Sequence, residues 1–570
     1  MFRSSRTIAA LLKQLVLGTA SLTAIVATST VLIGCEDESQ PDYWVKRLED
    51  PAKRAAAVKR LTQFYEDGLT KANQNRDTPE MKALLAKITK PMADAYVKGD
   101  LDEKTRAELL KALANTRDPA AKDAIMKALK DFADGKATAD EATQAAGYVK
   151  QLKLTEAAGV LLEAFEKVNP AKKELGPPYI AVQDAMLAIP DAAWTQKLID
   201  MIGKPVDAKN QDDMKNQIYH QTVAIMVLGD LKAANAVKPI FKVLVTPDKG
   251  PVGISPVVAL AKIGKSATVP LIDIMTGKDT EVVEYSRKVN PGEAGKSRHV
   301  ATAALVLGNI GRGEALTPMI AALIAADNDE TRGVIGREMA GLPSSPEAIK
   351  ALQAAYEKVA PDSTIPPGDF TRKILAESAG RFMDSSIVPW LLKQVDLMGK
   401  VKAEKEVIDA IQIGLLQTAM KLMKADQVDD VKKVIDKEGT EVEKAAFKRA
   451  ADVVKACGDR VACYLEKIED PKVQEQNEQF TGIKAAYMLG MLGNDATKSE
   501  IVKRLSKIKA VAVRGTAVLA IDHLSPNGDA KIADELQKVL DDDTKRNPEE
   551  GNRLNGVIKQ VTPRLRARAS

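Results

Sequence analysis

The feature that most constrains the fold is a repeated helical unit with a glycine near its end. Close copies occupy residues 224–231, 304–311 and 486–493, and a fainter copy occupies 258–264. A second amphipathic segment follows each of them, at 236–244, 315–325, 496–508 and 266–275. Glycine can end a helix in the left-handed conformation without a Cβ clash, so the chain can reverse there. The pattern predicts pairs of antiparallel helices.

Composition supports a helical chain that grows by repetition. Its 570 residues would ordinarily form several domains, but no change in composition marks a boundary between domains. Aromatic residues make up only 4% of the chain, while alanine, leucine, lysine and glutamate are abundant. No alternating run of β-branched residues is long enough to predict a strand.

Several of these units resemble HEAT repeats, particularly the bacterial type grouped with phycobilisome-lyase-like repeats. The resemblance is carried by Asp50, Pro51 and Arg54, which lead to Ala57 and Leu61, and more weakly by residues 329–335. It implies helix pairs of about 30–45 residues that stack into a superhelix. Together with the helical period, it predicts an all-α fold: a right-handed superhelical α-solenoid of about thirteen antiparallel helix pairs over residues 42–543.

The N-terminus reads as an export signal. Arg3, Arg6 and Lys13 precede an uncharged apolar stretch over 14–34, which ends in Leu32, Ile33, Gly34 and Cys35. These four residues resemble the lipobox of bacterial lipoproteins, which implies cleavage after residue 34 and acylation of Cys35. An uncleaved membrane helix is the alternative, and either interpretation exports the rest of the chain. Glu36 follows the cysteine directly. In bacterial lipoproteins an aspartate at that position is the usual signal for retention in the inner membrane, so its absence here favours the outer membrane.

These observations divide the chain into four parts. We expect a lipoprotein signal peptide at 1–34, a lipidated tether at 35–41, the solenoid at 42–543, and a C-terminal capping helix with a basic tail at 544–570. Prolines predict three loops within the solenoid, at 168–178, 278–298 and 359–370. Such interruptions often lie on the working face of a solenoid, although simple surface lengthening also explains them.

Two cysteines remain once Cys35 is assigned to lipid. Cys457 and Cys463 flank Gly458 and Asp459, which we interpret as the turn between the two helices of one repeat. The turn would bring the sulfurs together, and an oxidising exported compartment favours their closure into a disulfide. Two free buried thiols, or a metal pair, are the alternatives.

The charge balance gives no reason to expect a nucleic acid partner. Removal of residues 1–34 deletes three of the 83 basic residues and none of the 78 acidic ones, which leaves a net charge of +2. Basic residues cluster only at Arg564, Arg566 and Arg568, which we interpret as a frayed, solvated end. Residues 541–543, three consecutive aspartates, are likewise expected to be a solvated helix end.

Catalytic and metal-binding signals are weak. His220, His299 and His523 fall in different repeats, and solenoid repeats contact only their neighbours, so these histidines should not converge. Residues 327–333 are closer to a helix cap than to a calcium loop, because the glycine is displaced and the closing glutamate is absent. Trp44, Trp194 and Trp390 are expected to be core anchors, with Trp44 sealing the first repeat. We therefore expect no catalytic residue, metal, cofactor or small-molecule substrate.

The sequence thus predicts a membrane-anchored exported scaffold or adaptor that binds another protein through its repeat surface. A lyase- or chaperone-like protein acting on a bound partner is one alternative, implied by the family resemblance. A structural spacer in the envelope is another.

Overall fold

The structure, a computed structural model, describes residues 37–172, 176–207 and 209–569. The predicted signal peptide, the predicted lipobox residues Leu32, Ile33 and Gly34, and the predicted acylation site Cys35 lie outside the described residues. Within those ranges no helix combines the length and apolar character that crossing a bilayer requires.

The described residues form 31 α-helices and one two-stranded hairpin, which confirms the all-α solenoid. The first sixteen helices are α1 (Pro41–Arg47), α2 (Arg54–Lys71), α3 (Pro79–Lys98), α4 (Glu103–Thr116), α5 (Lys122–Ala133), α6 (Ala139–Leu152), α7 (Ala158–Lys167), α8 (Gly176–Ala188), α9 (Thr195–Gly203), α10 (Gln211–Asp230), α11 (Val237–Val245), α12 (Ser255–Ile263), α13 (Lys265–Met275), α14 (Thr280–Val289), α15 (Glu293–Lys296) and α16 (Arg298–Ile310).

The remaining elements are α17 (Leu316–Ala325), α18 (Asp329–Met339), α19 (Pro346–Lys358), β1 (Thr364–Ile365), β2 (Asp369–Phe370), α20 (Thr371–Gly380), α21 (Val388–Met398), α22 (Lys405–Leu422), α23 (Val428–Glu438), α24 (Glu441–Cys457), α25 (Val461–Glu469), α26 (Gln479–Leu492), α27 (Asp495–Leu505), α28 (Val511–His523), α29 (Ala530–Arg546), α30 (Pro548–Leu554) and α31 (Gly556–Ala569). They fall into two compact units, divided inside α3 between Ile88 and Thr89.

The three predicted loops have different outcomes. Residues 278–298 are mostly helical, so that prediction is wrong: Asp279 caps α14, its side chain accepts the N–H of Val282, and Val282 is buried. In the segment 168–178, residues 168–172 are non-helical as predicted, but α8 already begins at Gly176, because prolines are tolerated in the first helical turn. The segment 359–370 is non-helical, but it contains the antiparallel β1–β2 pair, where no strand was predicted.

A buried or half-buried arginine fixes the chain before several repeats. Arg54 in the first unit donates from Nε to the Leu48 carbonyl at 2.6 Å. In the second unit Arg332 donates to Ala326 at 2.5 Å, and Arg514 to Ile508 at 3.4 Å. Each acceptor lies six residues before its arginine, in the chain leading into the helix that carries the arginine. These arginines, of which Arg54 and Arg332 belong to the repeat openings seen in the sequence, therefore satisfy carbonyls that the bend would otherwise leave unpaired.

Of the glycines of the repeated unit, Gly311 ends α16 in the left-handed conformation with a φ of +75°, as predicted, but three others act differently. Gly229, Gly308 and Gly490 lie inside helices, so a role as left-handed turn residues is wrong for them. A Cβ on Gly229 would lie 2.7 Å from the Cα of Ala259, and a Cβ on Gly308 would lie 2.5 Å from a carbonyl oxygen of α18. Gly229 and Gly308 therefore allow the first helices of neighbouring repeats to touch through their backbones, whereas a Cβ on Gly490 would meet the Met383 side chain.

This close approach predicts opposite effects for two glycine-to-alanine substitutions. Gly229→Ala should destabilise the second unit by about 1–3 kcal/mol, since the new methyl group meets backbone rather than a flexible side chain. Gly147→Ala, in the middle of α6 with no atom within 4 Å of the new Cβ, should stabilise it by about 0.5–1 kcal/mol. Urea denaturation followed by circular dichroism measures both, and equal effects would contradict the contact.

The second unit closes on itself. Neighbouring first helices are in contact along the series α12, α16, α18, α20, α22, α26 and α28, and α31 then contacts α28, α12 and α16. The expectation that repeats contact only their sequence neighbours is therefore wrong. The last helix of the chain joins the end of the solenoid to repeats near its middle.

The tryptophans only partly follow the prediction. Trp194 is buried, as expected of a core anchor. Trp44 and Trp390 are only half-buried, so their assignment to the core is wrong. Trp44 donates to the Glu38 carbonyl at 2.8 Å, and Trp390 packs edge-to-face on Tyr356 with ring centroids 5.2 Å apart.

Candidate partner-binding cleft

The C-terminal helix α31 is fixed by an arginine that joins three distant segments. Arg568 is only 3% exposed at its side chain. Its guanidinium donates to the carbonyls of Gly311 at 2.7 Å, Gly341 at 2.8 Å and Ser525 at 3.0 Å. In the opposite direction, Arg312, which follows α16, donates to the Ala567 carbonyl on α31 at 2.7 Å. Helix ends that would otherwise present unpaired carbonyls are therefore capped by α31.

A buried carboxylate balances the charge of α31. Asp522, at the end of α28, lies 2.5 Å from Arg564 and 3.0 Å from Arg568. Burial lowers the pKa of Arg568, and the Asp522 carboxylate opposes that shift. Two arginines share one carboxylate here, and Arg568 finds its other partners among backbone carbonyls.

The prediction of a solvated C-terminus is thus wrong for Arg564 and Arg568, which are buried. It is correct for Arg566, which is exposed and pairs with Asp534 at 2.9 Å. Of the three aspartates at 541–543, Asp541 and Asp542 are exposed as predicted, whereas Asp543 is buried and pairs with Arg514.

A cleft lies where α31 and α29 face the ends of α10, α12 and α13. We call it the C-terminal cleft; its volume is about 740 Å³. Its apolar lining comes from Val258 and Ile263 on α12, Leu540 on α29, and Pro563 and Ala567 on α31. The cleft exists only because the solenoid closes, since its two walls lie about 300 residues apart in sequence.

Exposed cations surround the cleft. The basic rim consists of Lys232, Lys262, Lys265, Lys559 and Arg566, and Asp230 is the one carboxylate among the lining residues described. Lys262 pairs with Asp230 at 2.5 Å. The site is therefore apolar inside and positively charged at its edge.

Apolar side chains continue outside the C-terminal cleft. Ile254, just before the start of α12, is 66% exposed, and Val258, one turn later, is 44% exposed. Val269 on α13 is 62% exposed. Large apolar groups are exposed at few places in the described chain, and three of them lie on α12, on α13 or directly before α12.

A second set of charged residues lies on α18, α20, α22 and α26. This inner charged cluster, whose members interact electrostatically and to which the neutral Tyr487 belongs, includes Arg381 directly after α20; it consists of Arg337, Glu338, Lys373, Glu377, Arg381, Lys421 and Tyr487. Burial raises the pKa of Glu338, which Arg337 opposes from 2.9 Å. Burial lowers the pKa of Lys421, and burial also raises the pKa of Tyr487 to about 12. Sequence inspection missed this cluster because its members come from four repeats.

The three histidines lie in separate environments. His220 is held by the carbonyls of Asn216 and Phe165, each at 2.9 Å from a ring nitrogen. His299 is buried in α16, and His523 is half-buried at the end of α28. Within the part of the chain that the structure describes, no three His, Cys, Asp or Glu side chains are grouped as metal ligands.

At 327–333, Asn328 caps α18 by accepting the N–H of Thr331, as predicted.

His299 predicts a pH-dependent stability. Burial lowers its pKa to about 4 from an ordinary value of 6.5. Below pH 6.5 the unfolded chain therefore binds a proton that the folded chain does not, so stability falls as the pH falls towards 4. The loss should be roughly 3 kcal/mol at most. Denaturation of the wild-type protein and His299→Leu at pH 7 and 4.5 measures it; parallel losses in both would contradict this origin.

The cysteine pair lies at the predicted turn. Helix α24 ends at Cys457, Gly458 has a φ of +56°, and α25 begins at Val461. The Cys457 and Cys463 sulfurs are 2.03 Å apart, which is bonding distance. Tyr464 donates to the Gly458 carbonyl at 2.7 Å and supports the same turn.

We expect reduction of this pair to destabilise the α24–α25 repeat by about 2–2.5 kcal/mol, because the closed loop holds about seven residues. Amide hydrogen exchange with and without reductant measures the change locally. Alkylation of both cysteines in the unreduced native protein would contradict the bond.

Comparison with known families supports the repeat assignment. A PBS lyase HEAT-like repeat matches residues 105–131, which span most of α4 and α5. No curated protein matches the chain. The matched unit was not recognised by its glycine signal, because α4 ends at a left-handed arginine, Arg117, with a φ of +55°. The chain is an all-α solenoid with HEAT-like repeats, and its C-terminal helix builds one wall of a cleft.

Proposed function

We propose that the protein is a membrane-anchored exported scaffold or adaptor that binds another protein at the C-terminal cleft, without catalysis of its own. The observation that carries the proposal is the cleft itself, apolar inside and flanked by exposed apolar side chains. HEAT-like repeats generally serve as protein-interaction surfaces, and a partner side chain or helix fits a groove between helices.

The extent of the apolar surface favours a protein over a small ligand. A volume of about 740 Å³ is within the range of small-molecule sites. Ile254 and Val269, however, are not part of the cleft lining, and a small ligand within the cleft would leave them exposed. A protein partner can cover the cleft and its flank together.

The anchor belongs to the same proposal and has its own test. The lipobox-like residues ending at Cys35 support acylation, and several acyl chains on one cysteine would hold the body at a membrane. We expect Cys35→Ser to move the protein from the membrane fraction to the soluble fraction. Mass spectrometry of the mature N-terminus should show an acylated cysteine; an unmodified N-terminus beginning elsewhere would overturn the anchor.

The inner charged cluster favours a second candidate, a lyase- or chaperone-like action on a bound partner. Within this cluster, the Lys421 amine and the Tyr487 phenol are the side chains of a chemically reactive type, and burial shifts the pKa of each. Paired substitutions, Lys421→Met and Tyr487→Phe, should leave partner capture unchanged under the scaffold proposal. Loss of a covalent product with retained capture would favour the second candidate.

The scaffold proposal is tested by site-specific photo-crosslinking in intact cells. A photoreactive amino acid at Val258 should capture a reproducible protein partner. The matched control is Val442 on α24, which is 72% exposed but outside the cleft. Capture of the same species at both positions, or of none at Val258, would overturn the proposal.

A further inference from the structure

We infer that the occupant of the C-terminal cleft is an acidic amphipathic helix of the partner protein. This inference rests on the proposed function and adds the chemical class of the segment that binds. It follows from the charges at the rim, from the spacing of the apolar side chains, and from the concave form of the site.

The rim holds positive charge that the protein does not neutralise. Lys262 and Arg566 pair with Asp230 and Asp534, at 2.5 and 2.9 Å. Among the described residues, by contrast, no carboxylate forms an ion pair with Lys232 or Lys265, although the Glu314 carboxylate, which pairs with Arg312, acts on Lys265 from a longer distance.

The third uncompensated cation is Lys559, which donates to the neutral amide oxygen of Asn552 at 2.7 Å. Three uncompensated cations around one cleft are notable in a chain with 83 basic and 78 acidic residues. A partner with carboxylates at the matching positions would complete these charges and be steered towards the cleft.

The apolar groups are spaced for a helix. Ile254, directly before α12, and Val258 are four residues apart, so both lie along the side of α12 that continues to Lys262. The distance from Ile254 to Lys262 along the helix is about 12 Å at 1.5 Å per residue, and Gly264 then separates α12 from Lys265. That length matches about two turns of a partner helix, with apolar residues towards Val258 and carboxylates at one end and flank.

The concave form separates this partner from an anionic membrane. A membrane surface is flat, and the cations that bind it lie on a protruding or planar face. Here the cations surround a cavity whose lining includes Leu540 and Pro563. A rod with one apolar face can enter such a cavity, whereas a bilayer surface cannot.

The experiment compares the capture of the partner by the protein with its basic rim intact and by a variant in which the charges of three rim lysines are reversed. The full-length protein carries the photoreactive residue at Val258, either alone or with Lys232→Glu, Lys265→Glu and Lys559→Glu. The control reverses three exposed lysines elsewhere, Lys82, Lys433 and Lys503, whose side chains are 64%, 76% and 68% exposed. The crosslinked partner segment is sequenced, and a synthetic peptide of that segment is titrated by fluorescence anisotropy.

We expect an acidic amphipathic segment. The affinity of its peptide for the rim variant should be at least about tenfold lower than for the wild-type protein, and its affinity for the control variant should stay within about twofold of wild type. The affinity for the wild-type protein should also fall as the salt concentration rises from about 50 to about 300 mM. Equal capture by the rim variant would overturn the charge inference and leave the scaffold proposal standing. A basic or uncharged segment, or a lipid, would also overturn it. Failure of wild-type Val258 to capture any protein would defeat the proposed function as well.

Discussion

Replacing Arg568 with alanine is expected to release α31 from the rest of the second unit. The substitution removes the donor to the carbonyls of Gly311, Gly341 and Ser525 and one of the two partners of Asp522. Buried acceptors left unpaired cost about 1–3 kcal/mol each, so the local loss should be at least about 3 kcal/mol. Limited proteolysis should then cut within residues 556–569, and amide exchange in α31 should rise.

The matched control lies two residues away on the same helix. Arg566 is 45% exposed, and its partner Asp534 is 74% exposed, so Arg566→Ala should cost less than about 0.5 kcal/mol. If the two variants are cut at equal rates, Arg568 does not hold α31. The Arg568 variant should also lose capture at Val258, since one wall of the C-terminal cleft has moved.

Replacing Asp543 with alanine is expected to be the most destabilising single change in the repeat formed by α28 and α29. Arg514 is fully buried, and its guanidinium contacts Asp543, the Asn555 side chain at 2.8 Å and the Leu505 carbonyl at 2.9 Å. Burial lowers the pKa of Arg514, which the Asp543 carboxylate opposes. Without that carboxylate a buried charge is left uncompensated, at a cost of about 3–5 kcal/mol.

Hydrogen exchange of α28 and urea denaturation together measure the effect of Asp543→Ala. Asp436→Ala provides the control, because Asp436 and its partner Lys432 are each 55% exposed, and the loss there should be below about 1 kcal/mol. The double variant Arg514→Met with Asp543→Leu should be more stable than Asp543→Ala, because it removes both charges. A double variant no more stable than the single one would contradict the role of the buried charge.

Local pattern predicted the helices because the helical period is a property of residues within one repeat. The turn at Gly458 and the cap at Asn328 could be predicted because each also lies within one repeat. The role of Gly229 could not be predicted, since its backbone contact with Ala259 depends on how two repeats stack. The loop predicted at 278–298 failed because a capping aspartate and two buried valines outweigh one proline between short helices.

The C-terminal cleft could not be predicted from sequence patterns within single repeats. Arg312 and Ala567 are 255 residues apart, and Arg568 and Gly311 are 257 apart. An arginine cluster at a chain end is typical of a solvated tail, and only the closed arrangement of repeats shows that Arg564 and Arg568 are buried. The basic rim likewise combines lysines from α12, α13 and α31 that no linear window contains.

Closure of the solenoid by α31 is the claim on which the cleft, its partner and the Arg568 prediction all depend. Lysine-specific crosslinking of the native monomer tests it directly, because Lys262, Lys265 and Lys559 line the same cleft. We expect a crosslinked peptide that joins Lys262 or Lys265 to Lys559, at a yield comparable to the pair Lys503 and Lys507 near the end of α27. A strong Lys503–Lys507 crosslink without any Lys559 crosslink to α12 or α13 would contradict closure.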